Sequence, residues 1–124
     1  MTALLIILGA GIGAPSRFLV DQYLRRYIKY PYGILIVNVL GSFVIGLTVA
    51  HPNSSSAYLS AGSIDSVHAF FAVGFAGAFT TWSTFILDIY LAIELRRYKS
   101  AFINLALSIV LGILAVGVGM NLAP

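Results

Sequence analysis

The sequence predicts an all-α membrane protein of four transmembrane helices, the third broken near Gly77–Thr80. Three observations predict it. The chain has 124 residues, 60% hydrophobic and 9% charged, where a water-soluble domain carries roughly 25% charged residues. Such a chain has too little polar surface to cover itself in water. Its charges are segregated, at 17–29, at Asp65 and at 88–99. Between them lie apolar stretches of the about 20 residues that cross a bilayer. The expected spans are 2–24, 33–50, 67–95 and 100–122, in a single domain covering 1–124.

The first span contains "GAGIG", which sets Gly9 and Gly13 four residues apart, the spacing that lets helices approach closely in lipid. The connection "LRRYIKYPYG" is basic, and Pro31 disfavours helical geometry at Tyr30. In the second span Asn38, Ser42 and Gly46 share one face. The segment "HPNSSSAYLSAGSIDS" that follows is Ser-rich and reads as a surface loop. His51 and His68 flank it and are expected at the interface.

The third span holds "GFAGAFTTWSTF", residues 74–85, with two Gly, three Thr, one Ser and no charge. Gly74 and Gly77 each weaken a helix by roughly 1 kcal/mol relative to Ala, and Thr80 and Thr81 are candidate N-caps. Either the helix breaks here or it kinks and Thr hydroxyls bridge the kink. A break frees carbonyls, which favour a cation, and N–H groups, which favour an anion. After the basic turn "ELRRYKS", the fourth span carries Ser100, Asn104, Ser108 and Gly112 up one side. Such stripes serve helix packing or line a polar path, and an amide at membrane depth must find partners or water.

Several functions are excluded. There is no Cys, hence no disulfide or thiolate metal site. A net charge of +3 is too small for nucleic-acid binding. A small multidrug exporter needs a carboxylate in its first helix, and residues 1–16 have none. No nucleophile–base pair sits on neighbouring helical positions, so the chain is not expected to be an enzyme. No acidic residue is expected deep in a span, which suits anion passage and argues against proton coupling.

The patch at 74–85 resembles the signature of the Fluc (CrcB-type) fluoride channels, close to GF-x-GG-x-TTFSTF. "YPYGILIVNVLGSFVIG" resembles that family's second-helix motif, and "GAGIGAPSRF" its first-helix motif. The three occur in the family's order, and the resemblance covers most of the chain. It implies an antiparallel dimer of four-helix subunits, with two narrow pores at the interface. It also implies a structural Na⁺, not transported, held by the main-chain carbonyls of Gly77 and Thr80. The pore residues it implies are Asn38, Trp82, Ser83, Thr84, Phe85, Asn104 and Ser108. Arg17 becomes a positive vestibule; the plainer reading is an interfacial arginine half-paired with Asp21.

The sequence departs from the family pattern at several positions. Trp82 stands where the first pore Phe is usual, bringing a larger ring and an N–H donor. Ala78, Ile34, Asp88, Asn104 and Gly112 also differ from the common residue. The implied function is passive export of cytoplasmic fluoride across the plasma membrane. The alternative is a non-conducting or half-conducting subunit of a heterodimer. Charge placement bears on this choice. The first and third connections carry Arg25, Arg26, Lys29, Arg96, Arg97 and Lys99, while the second loop and both tails carry no Lys or Arg. Short-loop Lys and Arg are retained in the cytoplasm, so both termini are expected outside. So strong a bias favours an oppositely inserted paralogue as partner over a homodimer.

Overall fold

A computed structural model describes residues 1–28, 32–49 and 66–123. The Tyr30–Pro31 helix stop, Lys29 and the Ser-rich loop with His51 and Asp65 lie outside the described residues. The described chain forms α1 (Thr2–Tyr27), α2 (Tyr32–Val49), α3 (66–79), α4 (Ser83–Glu94) and α5 (Tyr98–Leu122). Four stretches are long and apolar enough to cross a membrane: α1, α2, Ser66–Glu94 and α5. The third is thus α3 and α4 in series, separated by a break.

Helices in lipid gain nothing from hiding apolar side chains, so they associate where small residues let backbones touch. α1 packs chiefly against α3 and α2 chiefly against α5. A Cβ on Gly9 would overlap the carbonyl of Phe70, and one on Gly13 the carbonyl of Phe75. From the other side, a Cβ on Gly74 would stand 2.6 Å from the Ile6 carbonyl oxygen. The α2–α5 crossing uses Gly46 against Val116 and Gly119 against Phe43 in the same way. The α1 and α5 windows bury only 11% of their residues, leaving apolar faces that fit a lipid surround.

Ala69–Ala76 of α3 is a π-helix, a wider turn that is rare and occurs often at functional sites. It lies where α1 crosses. α4 closes in a Schellman motif: Arg96 N–H donates to Ile93 O at 2.9 Å and Arg97 N–H to Ala92 O at 2.8 Å. Arg96 takes φ 59°, a left-handed conformation that Gly adopts without strain. The expected basic turn is therefore a sharp hairpin, with Ala92 before it and Ala101 after it both buried.

These contacts separate two glycines of α1. Gly13→Ala forces a methyl into the Phe75 backbone and is expected to destabilise by about 1–3 kcal/mol. A Cβ on Gly11 meets nothing within 4 Å, so Gly11→Ala is expected to be neutral or to stabilise by up to about 1 kcal/mol. Thermal unfolding in detergent measures both, and equal effects would contradict the packing.

Candidate functional site

Helical geometry persists through Phe79 and ends at Thr80, whose φ −76° and ψ 157° are extended. The Thr80 hydroxyl and its own N–H both donate to the Ala76 carbonyl, each at 2.9 Å. Thr80 therefore finishes α3 and does not cap α4, contrary to one of the two expected caps. Thr81 does contribute a cap: its Oγ1 lies 3.4 Å from the Thr84 N–H. Its hydroxyl donates to Thr84 Oγ1 at 3.2 Å and lies 3.5 Å from Ser83 Oγ.

The break is held from α2. Asn38 Nδ2 donates to Thr81 O at 3.0 Å, and Thr81 N–H donates to Asn38 Oδ1 at 2.9 Å. In a continuous helix the N–H groups of Thr81 and Thr84 would bond the carbonyls of Gly77 and Thr80. Both are directed to side-chain oxygens instead, so those two carbonyls lose their helical donors. Gly77 itself is exposed and helical, φ −62° and ψ −36°. A Cβ there would come no nearer than 3.8 Å to Ala72 O. Gly77 thus stays helical within the subunit, and the chain leaves helical geometry three residues on. The break lies at Thr80–Trp82, where Asn38 competes for the backbone.

A groove of 260 Å³ runs beside the break, lined by Asn38, Ser42, Ile45, Thr80, Thr81 and Trp82. It reaches Thr80 because Gly41 has no side chain: a Cβ there would overlap the Thr80 methyl. Ser42 Oγ donates to Asn38 O at 2.8 Å. Trp82 is 73% exposed and Phe85 only 4%. Their rings are 5.7 Å apart at 48°. The two aromatics are neighbours, but Phe85 faces the core with Thr81 while Trp82 faces out. Ser83 is exposed and Thr84 half-buried.

Asn104 is 1% exposed. Its Oδ1 and Ser108 Oγ are buried without a hydrogen-bond partner among the described residues. A Cβ on Gly112 would lie 3.6 Å from Ser42 Oγ. Continuing that parallel register back by one turn sets Ser108 level with Asn38. The polar stripes of α2 and α5 therefore run along the same interface.

Arg17 is half-buried on α1, outside the groove. Asp21 does not pair with it. Asp21 Oδ2 takes Arg25 Nε at 2.9 Å, because Arg25 lies one turn on and toward the helix end. Asp88 is 4% exposed in the middle of α4, six residues before Glu94 or about 9 Å along the axis. An acidic group is thus buried inside the bundle, which the sequence reading did not expect. Its burial leaves no mark in the sequence, where Asp88 begins the charged run that closes the third span. Ser42, Thr81 and Ile45 also line the groove without having been counted among the site residues. Ser42 was visible one step along the Asn38 stripe, whereas Ile45 carried no polar signal.

The chain matches the family described as CrcB-like protein, Camphor Resistance (CrcB), over residues 4–120. It is 38% identical over 120 residues to the fluoride-specific ion channel FluC of Parabacteroides distasonis, covering 95% of this chain and 89% of that protein. It is 39% identical over 123 residues to fluoride-specific ion channel FluC 1 of Halalkalibacterium halodurans, covering 96% and 94%. A FluC of Campylobacter lari is 35% identical over 120 residues, covering 95% and 93%. These relatives are named as ion channels, not enzymes. With four membrane-length helices and a match across nearly its whole length, the chain is a multi-pass membrane protein that belongs to the CrcB family.

Proposed function

We propose that this chain is a subunit of a fluoride channel through which the anion leaves the cytoplasm passively. The observation that carries the reading is the helix break beside a groove lined by Asn38, Ser42, Thr80, Thr81 and Trp82, in a chain whose near-full-length relatives are named fluoride-specific channels. Fluoride is small and strongly hydrated, so a narrow path must replace its water with N–H and O–H donors. Ring edges carry partial positive charge, which gives Trp82 a second way to face an anion. No Asp or Glu lines the groove. Hydrogen fluoride crosses membranes in acid surroundings and dissociates inside, so a leak for the anion alone removes it.

The assembly we propose is an antiparallel dimer whose second subunit is an oppositely inserted relative. The six-to-zero distribution of Lys and Arg supports a fixed orientation for this chain, with the termini outside. The 73% exposure of Trp82 supports a pore finished by another subunit. In such a pair one pore tolerates a change that the other could not. Arg17 is assigned to the vestibule, where its charge raises the local anion concentration.

Liposomes carrying the chain together with an oppositely inserted relative from the same genome are expected to release fluoride while chloride stays at background. Equal passage of the two anions would overturn the channel reading. Reporters fused to each terminus are expected to read external in every molecule. Comparable internal and external signals, or full fluoride efflux from this chain alone, would overturn the heterodimer.

We also propose that Na⁺ sits at the centre of the assembly, bound by main-chain carbonyls of Gly77 and Thr80. Carbonyls at an unwound helix end suit Na⁺, and these two have lost their helical donors to Asn38 and Thr81 side-chain oxygens. Thr80→Ser keeps the carbonyl and the bond to Ala76, so thermal stabilisation by Na⁺ over a large organic cation is expected to survive. Gly77→Val leaves the subunit helical but projects from an exposed position, and that stabilisation is expected to vanish. Equal Na⁺ dependence in Gly77→Val and the unaltered protein would overturn the assignment.

A further inference from the structure

A second cavity lies against the last two turns of α1, away from the helix break. Gly13 meets Phe75, and α3 ends soon after at Phe79. Val20 and Leu24 continue the stripe of Gly9 and Gly13 by helical spacing, so they lie past the end of α3. α4 does not replace it, since α1 scarcely meets α4. An open cavity of 480 Å³ remains, lined by Leu19, Val20, Gln22, Tyr23, Leu24 and Arg26. Its lining is graded. α1 has 26 residues, a length of about 39 Å, against a hydrocarbon layer of about 30 Å. The last turn, with Arg26, therefore reaches the headgroups. Leu19 and Val20 sit about 10 Å back along the axis, among acyl chains.

We infer that this cavity holds one anionic phospholipid, its phosphate on Arg26 and an acyl chain along Leu19, Val20 and Tyr23. The inference is independent of the fluoride reading. Arg25 and Arg26 are neighbours in sequence but not in role. Arg25 is held by Asp21 at 2.9 Å, whereas Arg26 has no ion-pair partner among the described residues. A guanidinium presents a planar fork of N–H groups that suits a phosphate, and Gln22 and Tyr23 add an amide and a phenol donor beside it. No acid lines the cavity. The Tyr23 and Tyr27 rings lie 5.0 Å apart at 47°, so the second ring steadies the first at the depth where tyrosine favours the membrane interface. Charge favours lipid over a second copy of the chain as the occupant. Of four Asp and Glu, Asp21 is held by Arg25 and Asp88 is buried, which leaves little acid to meet Arg26. An anionic lipid is preferred to a zwitterionic one, because the latter brings its own cation to the phosphate.

Native mass spectrometry of the detergent-solubilised protein, with dioleoylphosphatidylglycerol as the probe, tests the site. The unaltered protein is expected to retain this lipid and to release dioleoylphosphatidylcholine. Arg26→Gln is expected to weaken retention by roughly tenfold, the loss of one charged hydrogen bond. Lys99→Gln removes a cation from the same side of the membrane but outside the cavity, and is expected to retain the lipid as the unaltered protein does. Each variant lowers the six-cation bias by one, so a difference between them comes from the cavity and not from charge or insertion. Arg26 is exposed, and unchanged thermal unfolding of Arg26→Gln without lipid shows that the fold is intact. Equal retention in the two variants, equal retention of the two lipids, or displacement of phosphatidylglycerol by inorganic phosphate overturns the inference. So does dissociation of subunits by Arg26→Gln in lipid-free detergent, which would place a second copy in the cavity. The channel reading stands in every case.

Discussion

The carboxamide of Asn38 bonds both backbone groups of one residue, Thr81, in another helix. Much of the remaining structure depends on that exchange. In a hydrocarbon surround, an unpaired backbone group costs about 1–3 kcal/mol or more. A side chain that offers one donor and one acceptor at peptide spacing replaces two helical bonds at once. The third span can therefore stop, extend through Thr80 and restart at Ser83 without leaving Thr81 unsatisfied. Released carbonyls on one side of Thr81 and a capped helix start on the other follow from the same substitution.

Holding the break in register needs α1, α2 and α5 to lie close to it, and glycine makes that possible. Gly9 and Gly13 bring α1 onto the π-helical part of α3, and Gly41 lets α2 reach the Thr80 methyl. Gly46 and Gly119 do the same for α2 and α5. The helices behind the groove therefore meet at backbone contact, while the groove itself is lined by the side chains of Asn38, Ser42, Ile45, Thr80, Thr81 and Trp82.

The four spans were legible because hydropathy and charge placement act over about 20 residues, and no local feature competes with them at that scale. Gly9 and Gly13 were legible as contacts for a related reason: small-residue spacing has one main use in lipid. The break was legible in place, from "GFAGAFTTWSTF", but its cause was not. Sequence pointed to weak helix formers such as Gly77, which remains in the last turn of α3. The cause lies 43 residues away at Asn38, and no local pattern carries such a partner. The π-helix at Ala69–Ala76 left no mark either, since Ala, Phe, Val and Gly serve an ordinary helix equally well. Asp88 was hidden by its neighbours in the sequence, because a carboxylate six residues from a basic turn reads as part of that turn. Only the surrounding helices reveal that it is buried.

The left-handed residue at the α4–α5 hairpin has a consequence for how the protein is made. Arginine in that conformation costs about 1–2 kcal/mol, which glycine at position 96 would avoid. Glycine would also remove one of the six cations that bias insertion. Folded stability and biosynthetic topogenesis thus pull position 96 in opposite directions. Choosing arginine weakens the finished hairpin slightly and strengthens the sorting decision made while the chain leaves the translocon. That exchange is worthwhile for a membrane protein whose misoriented copies cannot turn over later, since moving charged turns across the bilayer is far costlier than one strained residue.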